Sequence, residues 1–214
     1  MDKVTLCFAK TPGLTPAKTR LSKEIGTRLT EELYHLLILR CLELMGQLID
    51  FSPLVAVNEK EGLKNLIWKK YPTYLQAKGE LGVKLSHAEE HFFNHYEKIC
   101  FWGTDSPSLT ADHFRNTARL LETCTTVIIP AKDGGFILYA SSKKLPPLSW
   151  ESIHYSTSST LHNLKKYTPS DTVFCSELSD LDTYDDVKYV IKEMNQFGSQ
   201  GMAWDQLKYF LEKL

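Results

Sequence analysis

Short runs of β-branched and apolar residues alternate along this chain with longer stretches in which apolar residues return at helical spacing. Residues 4–9 form an apolar run that predicts a buried first strand, followed by a polar loop over residues 10–16 that holds two prolines and a glycine. Residues 29–49 carry Leu33, Leu36, Leu37, Cys41, Leu44 and Leu48 on one face and predict a long amphipathic helix. The pattern continues with a strand at 54–57, a helix at 60–70, a short strand at 74–76 and a helix at 83–96. Strands at 99–102, 126–130 and 135–139 flank a helix at 111–123. A loop-rich stretch at 141–155 leads to a helix at 158–167, a strand at 172–175 and two terminal helices. Strands alternating with helices imply an α/β fold of three layers, α/β/α, with a mostly parallel central sheet. With no repeat, low-complexity tract or linker, residues 1–214 are expected to form one domain.

Composition narrows the function classes. The 25 Lys and Arg nearly cancel the 26 Asp and Glu, so the chain has no general attraction for nucleic acid or acidic membranes, and phosphate-binding charge must be local. The amino-terminal apolar run is too short for a signal peptide, and no stretch reaches the roughly 20 apolar residues of a bilayer span. Cys7, Cys41, Cys100, Cys124 and Cys175 are odd in number and widely spaced, as expected of reduced cysteines in the cytoplasm.

In open α/β sheets ligands bind beyond the carboxyl ends of the strands, so the polar residues just after strands are the candidates for chemistry. After the first strand come Ala9, Lys10, Thr11, Pro12 and Gly13, then Lys18 and Arg20: a loop able to point backbone N–H groups and three cations at a diphosphate. After the strand at 99–102 come Gly103, Thr104, Asp105, Ser106 and Pro107. Asp105 is a hard-oxygen ligand suited to Mg or Mn, while Thr110 is the better placed cap for the next helix. Asp133, Gly134 and Gly135 suit either a hairpin turn or the close approach of a ligand. Asp180, Asp182, Thr183 and Asp186 form an acidic segment in which Thr183 and Asp186 have capping-box spacing. His87, Glu90 and His91 fit an HxxEH zinc pattern, with His95 on the same face, but so short a pattern arises easily in a polar helix and a solvated helix face is the better account of it.

Taken together, five segments resemble the nucleotide-diphospho-sugar transferases of the GT-A fold, including those linked to arsenosugar biosynthesis. They are more distantly similar to the guanylyltransferases of the molybdenum cofactor and deazaflavin pathways. The resemblance runs in order over residues 4–190. An FAKxP element is Phe8 to Pro12, and a VKTRL-like element is Ala17 to Leu21. A QxxGDLGxRM-like element is matched by Gln76, Gly79, Glu80, Leu81, Gly82, Lys84 and Leu85. GxDxPxL is Gly103, Asp105, Pro107 and Leu109, and PAxDGGY is Pro130, Ala131, Asp133, Gly134, Gly135 and Phe136. The DxDTxxDL-like ending is Asp180, Asp182, Thr183, Asp186 and Val187. Thr15 stands where the family usually has glycine, Glu80 and Lys84 replace aspartate and arginine, and Tyr155 takes the place of a common tryptophan.

The resemblance implies a metal-dependent glycosyltransferase that uses a nucleotide sugar and a small-molecule acceptor. It implies that Ala9 to Gly13, Lys18, Arg20, Glu80 and Lys84 hold the nucleotide and that Asp105 holds Mg or Mn. Asp105, Asp133 and Arg20 are the implied catalytic set, with Gly134, Gly135, Tyr155 and Asp182 on the acceptor side. Two alternatives share these residues: nucleotidyl transfer from a nucleoside triphosphate to a phosphorylated acceptor with release of pyrophosphate, and a silent nucleotide-binding domain.

Overall fold

A computed structural model describes residues 2–214 of the chain. Seven strands join one sheet: β1 (Lys3–Ala9), β2 (Ser52–Val57), β3 (Thr73–Leu75), β4 (Lys98–Gly103), β5 (Thr126–Pro130), β6 (Phe136–Ser141) and β7 (Val173–Phe174). Their order is β3-β2-β1-β4-β6-β5-β7. All neighbours run parallel except β6, which is antiparallel to both β4 and β5. The local sequence accounts for that reversal: β5 and β6 are joined by five residues, too few for a helical crossover, and Gly134 takes φ 94° in the turn.

Alternation along β1 sorts side chains to the two faces. Cys7 and Ala9 join one hydrophobic core; Val4, Leu6 and Phe8 join the other. The first core packs beneath α1 (Thr19–Ile25), α2 (Thr27–Met45), α4 (Ala111–Leu120), α6 (Asp186–Phe197) and α7 (Met202–Leu211), through Leu21, Leu37, Phe114, Val190 and Trp204 among others. The second lies beneath α3 (Leu81–Phe92) and α5 (Thr160–Lys165), and the loop-rich stretch adds Trp150 and Ile153 to it. This is the expected three-layer α/β/α fold.

Four local expectations change. The helix expected at 60–70 is two 3-10 turns, Glu61–Lys64 and Leu66–Trp68. Asn65 between them is extended, and its side chain accepts from the Ile67 N–H at 3.0 Å, a local bond that competes with helix. The helix expected at 29–49 is preceded by a separate helix, α1, because Gly26 takes φ 85° and breaks the path. α3 begins at Leu81 and ends at Phe92, earlier at both ends than expected. Only half of the capping box expected at Thr183 and Asp186 forms: the Asp186 carboxylate accepts from the N–H groups of Asp182 (3.0 Å) and Thr183 (2.7 Å), but the Thr183 hydroxyl donates to that carboxylate at 2.9 Å and does not accept from the helix, and α6 starts at Asp186. Thr110 does cap α4, with its N–H donated to Nδ1 of His113 at 3.1 Å.

Candidate functional site

β1 and β4 lie side by side to their carboxyl ends, where Phe8 pairs with Gly103. From there the chain leaves β1 toward β2 and leaves β4 toward β5, on opposite sides of the pair. Such a divergence opens a crevice. A cavity of about 520 Å³ occupies it.

Four loops bring charge to this cavity. The first follows β1. Its turn closes through Leu14 N–H to the Thr11 carbonyl at 3.1 Å, with Gly13 at φ 82°. The Tyr34 hydroxyl accepts from the Lys10 N–H and donates to the Lys10 carbonyl, each at 3.0 Å, while Glu59 accepts the Thr11 N–H at 2.8 Å. Burial pushes the Glu59 carboxyl up, but bonds from Thr11, Thr15 and Asn58 outweigh it and hold its pKa below the ordinary value. So anchored, the loop presents Lys10, Lys18 and Arg20 to the cavity.

The second loop carries Asp105 and the third carries Asp180 and Asp182. Leu181 is wholly buried, and its neighbours Asp180 and Asp182 both line the cavity, as alternation in an extended stretch requires. The Leu181 N–H donates to the Asp105 carbonyl at 2.8 Å and joins the two loops. Lys18 Nζ lies 2.8 Å from Asp105 Oδ1 and 2.9 Å from Asp182 Oδ1, with its side chain only 3% exposed. Burial lowers the affinity of such a lysine for its proton; the two carboxylates outweigh burial and raise its pKa. Asp180 has no such partner: burial, then the charges of Asp133 and Asp182, push it up to about 6.

Asp133 enters from the β5–β6 turn, where its Oδ1 accepts the Gly135 N–H at 2.8 Å. Behind all three acidic loops stands Glu193 of α6. It accepts from Ser108 Oγ (2.7 Å), from Ser179 Oγ (2.7 Å) and N–H (3.0 Å), and from Lys132 Nζ (2.7 Å). Ser108 lies three residues past Asp105, Lys132 immediately before Asp133, and Ser179 immediately before Asp180. One buried carboxylate therefore ties together the loops that carry the four carboxylates lining the cavity.

The cavity's remaining wall combines an apolar side, made of Phe8, Leu81, Leu85, Phe101, Phe136 and the ring of Tyr155, with the small polar residues Thr19, Ser106, Ser156 and Thr160; the Tyr155 hydroxyl is donated to the Trp150 carbonyl at 2.9 Å.

Of the residues expected from sequence, Lys10, Lys18, Arg20, Asp105, Asp133, Gly135, Tyr155 and Asp182 line one cavity. Ala9 and Thr11 are buried, with the Ala9 carbonyl accepting from Asn58 N–H and the Thr11 N–H donated to Glu59; Pro12 and Gly13 form the outside of the loop. Gly134 is a packing glycine, since a Cβ there would fall 2.2 Å from the Ser158 carbonyl. Lys84 lies outside the cavity lining, with Nζ donating to Asn58 Oδ1 at 2.7 Å. Burial and then the charge of Lys10 lower its pKa, so Lys84, Asn58 and Glu59 make a polar shelf beside Lys10. Glu80, at the amino end of α3, likewise does not line the cavity.

The histidines of α3 have structural partners: His87 Nδ1 lies 2.6 Å from the Tyr74 hydroxyl, and Glu90 pairs with Lys144. Asp180, Phe8, Phe101 and Phe136 line the cavity but are not among the site residues expected from sequence, although the DxD spacing around Leu181 signals the first. Nothing local in the sequence signals Glu59 or Glu193, whose partners are up to 85 residues away.

The family model described as "Uncharacterized protein conserved in bacteria" (DUF2064) matches residues 51–157, half of the chain. The chain belongs to DUF2064. The match takes in Glu80, Asp105 and Asp133 and leaves out the first loop and the Asp180–Asp182 segment. No curated protein matches this DUF2064 chain significantly in sequence. Among solved structures, it is similar to a protein from Desulfovibrio desulfuricans G20 provisionally assigned as a nucleotide-diphospho-sugar transferase. The TM-score is 0.82 at 19% identity, covering 99% of this chain and 97% of that one. A 4-diphosphocytidyl-2C-methyl-D-erythritol synthase from Anaerococcus prevotii DSM 20548 matches with TM-score 0.57 at 12% identity, covering 92% and 99%. A CMP:2-keto-3-deoxy-manno-octonic acid synthetase complexed with CTP matches with TM-score 0.50 at 12% identity, covering 92% and 100%. At these identities the likeness establishes the fold, and no helix among the described residues is long and apolar enough to cross a membrane.

Proposed function

We propose that this DUF2064 protein is a cytoplasmic, metal-dependent glycosyltransferase that takes its sugar from a nucleotide-diphosphate donor. One observation carries the reading: a single cavity at the carboxyl ends of β1 and β4 gathers Lys10, Lys18 and Arg20 against Asp105, Asp133, Asp180 and Asp182. A diphosphate leaving group needs the first set, and a reacting sugar and hydroxyl need the second.

The donor set suits Mg or Mn. Among the described residues no three His, Cys, Asp or Glu side chains form a ready-made cage. Yet Asp105 and Asp182 already share one cation, Lys18, and Asp180, pushed up to about 6 by burial and then by the charges of Asp133 and Asp182, has no ion partner of its own among the described residues. Hard oxygens in surplus over cations are the chemistry that Mg and Mn bind. Asp105, with Asp182, would hold the ion, whose charge would stabilise the departing diphosphate.

In the reaction, Lys10 and Arg20 bind the diphosphate oxygens and the polar shelf of Lys84, Asn58 and Glu59 orients the nucleoside. The acceptor hydroxyl oxygen bonds to the anomeric carbon as the bond from that carbon to the phosphate oxygen breaks. The hydroxyl proton passes to Asp133, and the nucleoside diphosphate leaves with the bonding pair.

The test is a stability panel of nucleotide sugars and nucleoside triphosphates, each with Mn, with Mg and with EDTA. A ligand at a hundredfold excess over its dissociation constant adds about 2.7 kcal/mol to the folded state. A metal-dependent gain with one nucleotide sugar, lost in Asp105→Ala, followed by release of nucleoside diphosphate, is the expected result. Release of pyrophosphate from a triphosphate would replace the reading with nucleotidyl transfer; no gain with any ligand would leave a silent domain.

A further inference from the structure

The three cations of the cavity all come from the first loop and the start of α1. Lys18 is held between Asp105 and Asp182, Lys10 Nζ donates to the Pro16 carbonyl at 2.8 Å, and Arg20 lies beside them. Among the described residues lining the cavity, no other Lys, Arg or His faces it. Beyond the carboxylates the surface is the open top of the second core. Phe8, Phe136 and Tyr155 are only partly buried, and Leu81 is 39% exposed at the rim. This wall is rigid: Phe8 and Phe101 pack edge to face at 5.5 Å, and the Tyr155 hydroxyl, held by the Trp150 carbonyl, leaves its ring to face a ligand.

We infer that the acceptor is an uncharged small molecule with a ring-sized apolar body and a hydroxyl, seated on Phe8, Phe101, Phe136, Tyr155 and Leu81. A phosphate monoester there would bring up to two negative charges beside four carboxylates, with Lys18 already engaged by Asp105 and Asp182 and with Lys10 and Arg20 engaged by the donor diphosphate. An apolar body loses nothing by leaving water for this wall, and its hydroxyl reaches the carboxylates at the wall's edge. The inference rests on the proposed function only in taking this cavity to be the acceptor's. It also bears on the two chemistries, because the nucleotidyl transfer considered above is to a phosphorylated acceptor.

The test uses the full chain and two probes, 2-phenylethanol and 2-phenylethyl phosphate, in excess inorganic pyrophosphate to occupy Lys10 and Arg20. Binding is read by saturation-transfer NMR titration. The alcohol should bind at least tenfold tighter than its phosphate ester. Leu81→Lys, at an exposed position that leaves the core intact, should reverse the order by placing a cation on the wall; its melting temperature checks that it folds. A phosphate ester that binds the unmodified chain as tightly as the alcohol overturns the inference, and so does failure of both probes to bind. Neither probe is a nucleotide, so that failure leaves the donor reading standing, whereas failure of the donor reading appears in the nucleotide panel.

Discussion

At the scale of single residues, the side chains that matter are those whose charge is held against its preference. Lys18 adopts φ 53°, a left-handed conformation uncommon for a residue with a Cβ, and this aims its side chain inward at two carboxylates. It stands where the proposed function calls for a divalent cation and a diphosphate, so removing it should have opposite effects on the two. Lys18→Met is expected to weaken nucleotide binding about tenfold or more, the size of one charge-assisted hydrogen bond. In the absence of nucleotide it should bind Mn more tightly than the unmodified chain, because Asp105 and Asp182 have lost their counter-ion. Paramagnetic titration with Mn checks the second half, and weaker Mn binding would show Lys18 to be scaffolding.

Glu89 is a second such residue, buried in the second core away from the cavity. Burial is the main cause that pushes it from 4.5 up to about 7. The folded state thus binds this proton more tightly than the unfolded chain. Its contribution to stability is complete below pH 4.5 and is lost as pH rises through about 7. The full swing is on the order of 3 kcal/mol. Urea midpoints at pH 5 and pH 8 should therefore lie further apart in the unmodified protein than in Glu89→Gln, which keeps the shape and loses the titration; equal separations would contradict the assignment.

At the scale of elements, α6 does more than cover the sheet. Its Glu193 collects donors from the loops that carry Asp105, Asp133 and Asp180. Glu193→Ala would leave the buried Ser108 and Ser179 without their acceptor and Lys132 without its ion partner. Lys132 is partly exposed and recovers solvation, so the expected cost is about 2–4 kcal/mol. A fall in melting temperature alone would show only a structural role. Positioning predicts in addition that metal-dependent nucleotide binding weakens well below the melting temperature, and Glu193→Gln should recover part of both.

The elements also show what could be read in advance. Strand β5 was legible to the residue because Val127, Ile128 and Ile129 form an apolar β-branched run that stops at a proline. The cap of α4 was legible because Thr110 and His113 lie within one turn. The helix expected at 60–70 failed at Asn65, where one side-chain bond to Ile67 N–H outweighs a helical spacing of apolar residues. For the site, the charged residues were visible because they follow strands. The polar shelf was half visible, since Lys84 was foreseen and its partner Asn58 was not. Glu193 was invisible for a plain reason: its place in an amphipathic helix looks like any buried position, and its meaning lies in three loops brought to it by the fold.

At the scale of the whole molecule, the central strand is the one on which both halves depend. β1 is hydrogen-bonded to β2 on one side and β4 on the other, along six residue pairs each. Without it the sheet divides into β3-β2 and β4-β6-β5-β7, with no ladder between them. Residues 51–157, the segment matched by the DUF2064 model, contain β2 to β6 and lack β1. They also lack α2, α6 and α7, so Phe51, Trp102 and Ile129, each nearly or fully buried in the whole chain, would lose the helices that cover the first core. The segment by itself should therefore show no cooperative thermal transition by circular dichroism, while residues 1–214 unfold in one. The same division runs through the site, since Asp105 and Asp133 lie inside the segment and Lys10, Lys18, Arg20, Asp180 and Asp182 outside it. A sharp transition in the isolated segment would mean that β2 and β4 can pair directly and that β1 is an insertion. Its absence, with stability restored when residues 1–50 and 158–214 are present, would mean that the strand and loop bearing the cations also close the sheet, so that folding and assembly of the site are one event.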